Sequence, residues 1–297
     1  MDQLVRALLL FLLAQLPASF HCKDALSEDD GGWGLDSSIE DEGECNIEIR
    51  DVNSITHTEF IEEYAYAKPV ILRGLTDNTK FRFLCSKSNL LREYGVRTVR
   101  LSTANTHSYR KVDVQFEEFV KFLLTPQPED TLGSDTLYFF GDNNFTEWHS
   151  LFEEYNAPPF SLPLMHPAYS FGIAGPGTGV PFHWHGPGYS EVIYGRKRWF
   201  LYPPDEAPEF HPNHTTLSWV SLSYPNLELH QRPLECTIRP GEVLYFPDRW
   251  WHATLNLDTS VFISTFLGTE QDSLFRGPTQ RSLTQFEQNE EVKPSVH

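Results

Sequence analysis

Three histidines stand at spacings that suit a metal site. Residues 181–186 read Pro-Phe-His-Trp-His-Gly, so one residue separates His183 from His185. In a β-strand, residues i and i+2 point to the same face, and the two imidazoles would therefore face the same way. His252 follows a strand pattern, a proline and two tryptophans. Two imidazoles on one strand and a third from another would offer a facial set of nitrogen ligands to a metal ion.

Histidine pairs on strands also occur as ordinary core or surface residues. The pattern that ends at His252, Gly-x-x-x-x-x-Pro-x-x-Trp-x-His over residues 241–252, is more demanding than a pair. Both features occur within one β-rich region. We therefore predict a metal site at His183, His185 and His252, and leave its metal open between iron and zinc.

Lys197 is a candidate anion-binding residue. On a strand it shares its face with Trp199 and Leu201, whereas Arg196 and Arg198 take the opposite face. A buried ammonium without a partner costs several kcal/mol. An inward Lys197 thus predicts either a bound anion or an internal carboxylate or phenol beside it, and the alternative is a solvated charge on an exposed strand.

The elements that would position these residues are mostly short strands. From Leu137 onward, apolar runs alternate with Gly and Pro, which predicts a sandwich or barrel of the class that includes jelly rolls and cupins. Three helix patterns precede them, the first beginning at the capping pair Thr56 and Glu59 and the others spanning 88–94 and 116–124. The clearest strands are predicted over residues 70–72, 97–103, 137–140, 169–174, 182–185, 198–202, 242–246 and 261–266.

Composition and charge limit the class of protein. The 297 residues are 40% hydrophobic with a formal net charge of -18, which supports a real core and disfavours a nucleic-acid partner. Residues 1–22 are predicted to be a signal peptide, because Arg6 precedes an apolar run too short to span a bilayer, and no later segment suits a membrane span. Residues 23–44 are acidic and 269–297 polar, and both predict disorder. One domain remains, over residues 45–268.

Sequons and cysteines are consistent with export. Asn144 and Asn213 each begin an Asn-x-Thr acceptor for N-glycosylation. The four cysteines, at positions 22, 45, 85 and 236, are not at zinc-ligand spacing. Cys22 lies at the predicted cleavage boundary, and its removal would leave three in the mature chain. In an oxidising compartment these three predict one disulfide and one free or buried thiol, and the spacing does not fix the pair.

These segments resemble the JmjC subgroup of cupin-type double-stranded β-helix proteins, which includes asparaginyl-hydroxylase-like oxygenases. The resemblance covers about 45–268 and is carried by His-x-His, by Ile-Tyr-Gly-Arg-Lys-Arg-Trp-Phe-Leu-Tyr-Pro-Pro at 193–204, by 241–252 and by Pro-Val-Ile-Leu-Arg-Gly at 69–74. It implies a mainly β jelly roll with N-terminal flanking helices, binding Fe(II) and 2-oxoglutarate. Lys197 matches the family residue that pairs with the far carboxylate of 2-oxoglutarate, and Tyr138 resembles a tyrosine that hydrogen-bonds the same carboxylate.

Two positions depart from the family pattern. His185 stands where the family has an acidic metal ligand, and Val180 stands where a threonine is common. Losing the carboxylate raises the charge of an iron site by one unit, although three histidines suit zinc and serve iron in some cupin dioxygenases. Glu191 would restore a carboxylate only if the Gly-Pro-Gly turn at 186–188 bent the chain back.

The sequence supports two functions. The first is a regulatory or protein-interaction role for a JmjC domain with a degenerate metal site. The second is an active Fe(II)/2-oxoglutarate-dependent hydroxylase acting on a protein side chain, and a zinc hydrolase is a distant third. Both leading functions need a protein partner or substrate, whose identity, like the catalytic residues and oligomeric state, the sequence does not assign. The resemblance implies residence in the endoplasmic reticulum lumen, with secretion as the alternative because the chain lacks a KDEL-type ending.

Overall fold

The computed structural model describes residues 29–34, 39–106, 108, 110–141 and 145–269. The strands of these residues are β1 Ile49–Asp51, β2 Val70–Arg73, β3 Thr98–Thr103, β4 Lys111–Gln115, β5 Leu137–Phe140, β6 His166–Ala174, β7 Gly188–Tyr194, β8 Lys197–Tyr202, β9 Leu234–Ile238, β10 Glu242–Phe246, β11 Trp251–Asn256 and β12 Ser260–Gly268. The α-helices are α1 His57–Glu63, α2 Thr79–Leu84, α3 Lys87–Tyr94, α4 Phe116–Glu118, α5 Phe145–Phe152 and α6 Thr216–Leu222.

Two sheets of unequal size face each other. The larger has the order β1-β2-β10-β7-β12-β6-β5-β3-β4, and the smaller has the order β11-β8-β9. Pairing is antiparallel except between β1 and β2. This architecture confirms the predicted cupin-type jelly roll with N-terminal flanking helices.

Each face of the larger sheet has its own core. Helices α2 to α5 cover the outer face, where Phe81, Phe116 and Trp148 pack against Phe139 and Phe171. Between the sheets lies a second apolar cluster, which includes Val192, Leu244 and Phe246 of the larger sheet together with Trp199 and Leu201 of the smaller. Packing on both faces explains why every residue of β7, β8 and β10 is buried, including the charged ones.

Local signals placed several elements correctly. The capping box predicted for the first helix forms, since the Thr56 hydroxyl accepts from the backbone N–H of Glu59, whose carboxylate accepts in return from Thr56. The helix predicted over 116–124 continues from α4 as a π-helical turn over Phe119–Leu123. Among the described residues, no helix is long and apolar enough to cross a bilayer.

The strand predicted over 182–185 is wrong as a regular strand. Only His183 pairs there, with His252 of β11, through reciprocal backbone hydrogen bonds of 3.1 and 2.8 Å. Pro181 and Pro187 flank the pair and have no N–H to donate, so a ladder cannot extend through them. The segment is nevertheless extended, and backbone bonds from Thr254 and Asn256 to the residues before it hold it against β11.

The acidic residues before the domain are not a disordered leader where the structure describes them. Trp33 is 6% exposed, and its indole N–H donates to the carbonyl of Cys85 at 3.0 Å. Residues 39–46, the N-terminal strap, lie along β9, where the Thr237 hydroxyl donates to the carbonyl of Glu42 at 2.7 Å. Composition alone missed this order because one tryptophan anchors the segment and its charges meet arginines of the folded domain.

A disulfide between Cys45 and Cys236 fixes the end of the strap to β9. The bond joins residues 191 positions apart. Cys85 is the free cysteine of the described residues and is buried. One disulfide and one buried thiol therefore confirm the prediction from cysteine usage, and the structure supplies the pair that the spacing left open.

Candidate metal centre

His183, His185 and His252 come together between the two sheets. His183 and His185 lie on the extended segment before β7, and His252 is the second residue of β11. One ring nitrogen from each lies within 4.8 Å of those of the other two, and the Nε2 atoms of His185 and His252 are 3.0 Å apart. Two nitrogens bound at right angles to one ion, each about 2.1 Å away, would be about 3 Å apart. The geometry of the three residues fits a metal ion.

Backbone carbonyls orient all three rings in the same way. The Nδ1 atoms of His183, His185 and His252 lie 2.9, 2.8 and 2.9 Å from the carbonyl oxygens of Pro181, Gly186 and Trp250 respectively. A carbonyl only accepts, so each Nδ1 carries the proton and each Nε2 presents a lone pair. Two lone pairs that face each other at 3.0 Å repel unless a cation lies between them.

Burial keeps these rings in the form that binds metal. It lowers the pKa of His183 to about 4 and of His185 to about 3, and lowers that of His252 as well. Neighbouring charge lowers the pKa values of His185 and His252 further, because each faces His183. Neutral imidazole is the ligating form, so the centre need not release protons from these rings to bind a metal ion at neutral pH.

An aromatic shell surrounds the three rings. Phe246 and Phe266 lie 5.3 and 4.9 Å from the ring centroid of His185, and Trp199 lies 5.8 Å from that of His252. On the outer side, the backbone N–H of Arg249 donates to the carbonyl of His185 at 3.0 Å. Arg249 has a φ of +57°, which is strained for a residue other than glycine. Aromatic packing and this strained loop together fix the position of His185.

Lys197 points inward, as its strand pattern predicts. It is 4% exposed, and burial lowers its pKa to about 7. Arg196 and Arg198 take the opposite face, where they pair with Asp258 and Glu235. No hydrogen bond or ion pair links the Lys197 ammonium to a residue that the structure describes, and its Nζ instead lies 3.3 Å from the ring centroid of Phe262.

A small cavity of about 30 Å³ joins Lys197 to the histidines. Its lining includes Tyr138, which the resemblance placed near Lys197, together with Val180, Thr254, Asn256 and Ser264. Such a volume holds about two water molecules. The charge of Lys197 fits a carboxylate, but the space between Lys197 and the histidines does not fit a five-carbon diacid such as 2-oxoglutarate.

Sequence reasoning missed Asn256 as a site residue. Its Oδ1 is buried without a hydrogen-bond partner in the described chain, as is the indole nitrogen of Trp199, and both residues line the cavity. The signal was present, because Asn256 lies four residues after His252 on β11 and alternate residues of a strand share a face.

Glu191 does not take the place of the missing acidic ligand. Its carboxylate accepts from Asn78 at 3.1 Å and from the Tyr155 hydroxyl at 2.9 Å, on the helix side of the larger sheet. Burial raises its pKa to about 7, although these hydrogen bonds lower it. It lines no part of the cavity beside the histidines.

The two sequons lie in different parts of the chain. Asn144 falls outside the described residues. Asn213 is half-buried, with its amide nitrogen 3.2 Å from the hydroxyl of Ser134, and Thr215 caps α6. Glycosylation at both positions stays a prediction.

Comparison with known proteins identifies the family. The cupin-like domain family matches residues 57–272. JmjC domain-containing protein 8 of Homo sapiens is 66% identical over 244 residues, which cover 82% of this chain and 92% of that protein, and the Mus musculus protein is also 66% identical over 244 residues, covering 80% of this chain and 90% of that protein. This chain therefore belongs to the cupin-like domain family and, within it, to the JmjC-domain proteins.

Other relatives are more distant. Lysine-specific demethylase JMJ21 of Arabidopsis thaliana is 31% identical over 74% of this chain and 25% of its own length. Among solved structures, the ribosomal oxygenase YcfD of Escherichia coli is 17% identical over 74% of this chain with a TM-score of 0.48. This chain spans 54% of that structure.

Proposed function

We propose that this protein binds one divalent metal ion through His183, His185 and His252 and acts through protein interaction, as a regulatory protein of the endoplasmic reticulum lumen. The single observation that supports the metal assignment is the 3.0 Å distance between the Nε2 atoms of His185 and His252. In both rings the Nδ1 atom is hydrogen-bonded to a backbone carbonyl, which leaves Nε2 free to bind the ion. Iron and zinc are the two candidates for the ion, because three neutral imidazoles suit either.

The metal would connect the extended segment before β7 to the smaller sheet. His183 and His185 come from the extended segment, which pairs with β11 at one residue, whereas His252 belongs to β11 itself. When bound, the ion supplies Lewis acidity and a cross-link between these two stretches of backbone. An ion that binds the folded chain and not the unfolded chain stabilises the fold. Removal of the metal by a chelator should therefore lower the melting temperature.

Two features support a role other than 2-oxoglutarate oxidation. His185 replaces the carboxylate ligand of the family, and the cavity at Lys197 is too small for the diacid. The protein partners remain to be identified, and the net charge of -18 favours neither DNA nor RNA among them.

The lumenal location is supported by the disulfide. Cys45 and Cys236 form a bond that persists in oxidising compartments and is rare in the cytosol. The predicted signal peptide and sequons agree with a lumenal location, and secretion is the alternative.

An active Fe(II)/2-oxoglutarate-dependent protein hydroxylase is the second candidate function. It is favoured by Lys197, whose ammonium has no carboxylate partner among the described residues and would pair with an acid ligand. In that function Tyr138, which lines the cavity with Lys197, would hydrogen-bond the same carboxylate.

One experiment separates the two functions. Protein purified from animal cells is analysed for metal content and then assayed with Fe(II), oxygen and 2-oxoglutarate for succinate. We expect about one metal ion per chain, its loss in His252→Ala, and no succinate. Succinate formation that disappears in Lys197→Ala, with the metal retained, would establish the hydroxylase instead. Absence of bound metal in the wild type would contradict both.

A further inference from the structure

Phe262 occupies the space in front of the Lys197 ammonium. The distance from Nζ to the centroid of the Phe262 ring is 3.3 Å, so the ring lies directly against the charge. Both residues line the cavity that leads to the histidines. A ligand that pairs with Lys197 must therefore share this space with the ring.

The larger sheet leaves the Phe262 ring no room to withdraw. Phe262 of β12 stands opposite Gly172 of β6, and its ring packs on the glycine. A Cβ placed on Gly172 would lie 2.5 Å from the ring, which shows that the ring already contacts the β6 backbone. Phe140 closes one side, with ring centroids 5.3 Å apart. Since the missing side chain at Gly172 admits the ring, the pair Gly172 and Phe262 determines how much of the cavity is filled.

The ring also replaces the counter-charge that Lys197 lacks. An aromatic face attracts an ammonium, and the attraction is strongest where water is excluded. Phe262 is 2% exposed and Lys197 is 4% exposed, so water screens this contact little. An incoming carboxylate must displace the ring from the ammonium and also find room in about 30 Å³.

We infer that Phe262 is the specificity-determining residue of the Lys197 pocket: its ring excludes a five-carbon diacid from Lys197, and a smaller side chain at this position admits 2-oxoglutarate. The inference rests on the proposed function in one respect, since the metal ion held by the three histidines would anchor the other end of the acid. It explains how a chain that retains Lys197 and Tyr138 can have a pocket too small for the diacid.

The test compares wild-type protein with Phe262→Ala in the presence of Mn(II), with metal content measured separately for each. Binding of 2-oxoglutarate is measured by isothermal titration calorimetry and by the shift in melting temperature. We expect at least tenfold tighter binding to Phe262→Ala than to the wild type. The gain should vanish in Phe262→Ala combined with Lys197→Ala, because the acid would lose its ion pair.

Phe171→Ala is the matched control for loss of a buried ring. Phe171 is fully buried in the helix-side core and does not line the cavity, so this variant loses stability without gaining 2-oxoglutarate binding. If Phe262→Ala does not fold, Phe262→Leu replaces it, with a smaller gain expected in the same direction. Equal affinity in wild type and a folded variant, with metal present in both, would overturn the inference while leaving the metal centre intact. Absence of metal from the wild type would instead overturn the proposed function.

Discussion

His185 is the residue at which this centre differs from one built on two histidines and a carboxylate. Its ring is held by the carbonyl of Gly186 and faces His252 across 3.0 Å. Replacing it by aspartate exchanges a neutral nitrogen donor for a charged oxygen donor, which harder ions such as Fe(II) and Mn(II) prefer. In His185→Asp we expect the affinity for Fe(II) to rise relative to that for Zn(II), by competition titration. An unchanged or lower ratio would mean that the aspartate does not reach the ion.

The second prediction concerns Lys197 and the pH dependence of the free energy of unfolding. Burial lowers its pKa from 10.5 to about 7, so between these values the unfolded chain binds a proton that the folded chain does not. The free energy of unfolding therefore rises with pH across that window because of this residue, and its penalty is largest below pH 7. Lys197→Met removes the penalty. We expect the variant to be more stable than the wild type at pH 6.5, with the advantage shrinking by about 2 kcal/mol between pH 7 and 9.

The measurement is chemical denaturation at several pH values. Lys121→Met is the control, because Lys121 is exposed and pairs with Glu117 on the surface. Its difference from wild type should change little with pH. An advantage of Lys197→Met that is the same at pH 6.5 and 9 would show that Lys197 is not desolvated as described.

At the scale of elements, the N-terminal strap is held to the smaller sheet by charge as well as by the disulfide. Glu42 pairs with Arg196 at 2.6 Å and contacts Arg239. Burial raises the pKa of Glu42, but its bonds to these arginines outweigh that effect and lower it below 4.5. Glu42 thus stabilises the fold above about pH 4.5 and loses this contribution as the pH falls through its folded pKa.

Glu42→Gln should lower the free energy of unfolding by about 1 kcal/mol at pH 7 and have less effect near pH 3, measured by thermal or chemical denaturation. Glu40→Gln is the matched control, since Glu40 is an exposed residue of the same strap. Equal effects of the two substitutions at pH 7 would contradict an ordered strap that depends on Glu42.

Sequence patterns predicted elements best where the physical signal is local. The Thr56 capping box and the inward face of β8 depend on near neighbours, and both were read correctly. The prediction of a strand over 182–185 was wrong because the pairing of this segment depends on a distant segment and on Pro181. The size of the cavity could not be predicted from the sequence either, because Phe262 and Gly172 come into contact only when β12 pairs with β6. The inward orientation of the charged Lys197 on β8 was therefore predictable from the sequence. The order of the N-terminal strap and the volume of the cavity were not.

For the protein as a whole, we predict export into the secretory pathway. Full-length protein expressed in animal cells should lose residues 1–22 and carry glycans at Asn144 and Asn213. Endoglycosidase H should increase its gel mobility if it resides in the endoplasmic reticulum. Asn144→Gln and Asn213→Gln should each remove one glycan. An unprocessed, unglycosylated product would contradict the lumenal location, although it would leave the metal centre untested.

The most direct test of the central claim is the local structure around the bound metal. X-ray absorption spectroscopy of zinc- or iron-loaded protein, together with metal content, counts the ligands and identifies them. We expect one ion per chain with three imidazole nitrogens at about 2.0–2.1 Å, and loss of that signal in His252→Ala. A chain that takes up no stoichiometric metal, or one whose metal has no imidazole ligands and is unchanged by His252→Ala, would contradict it.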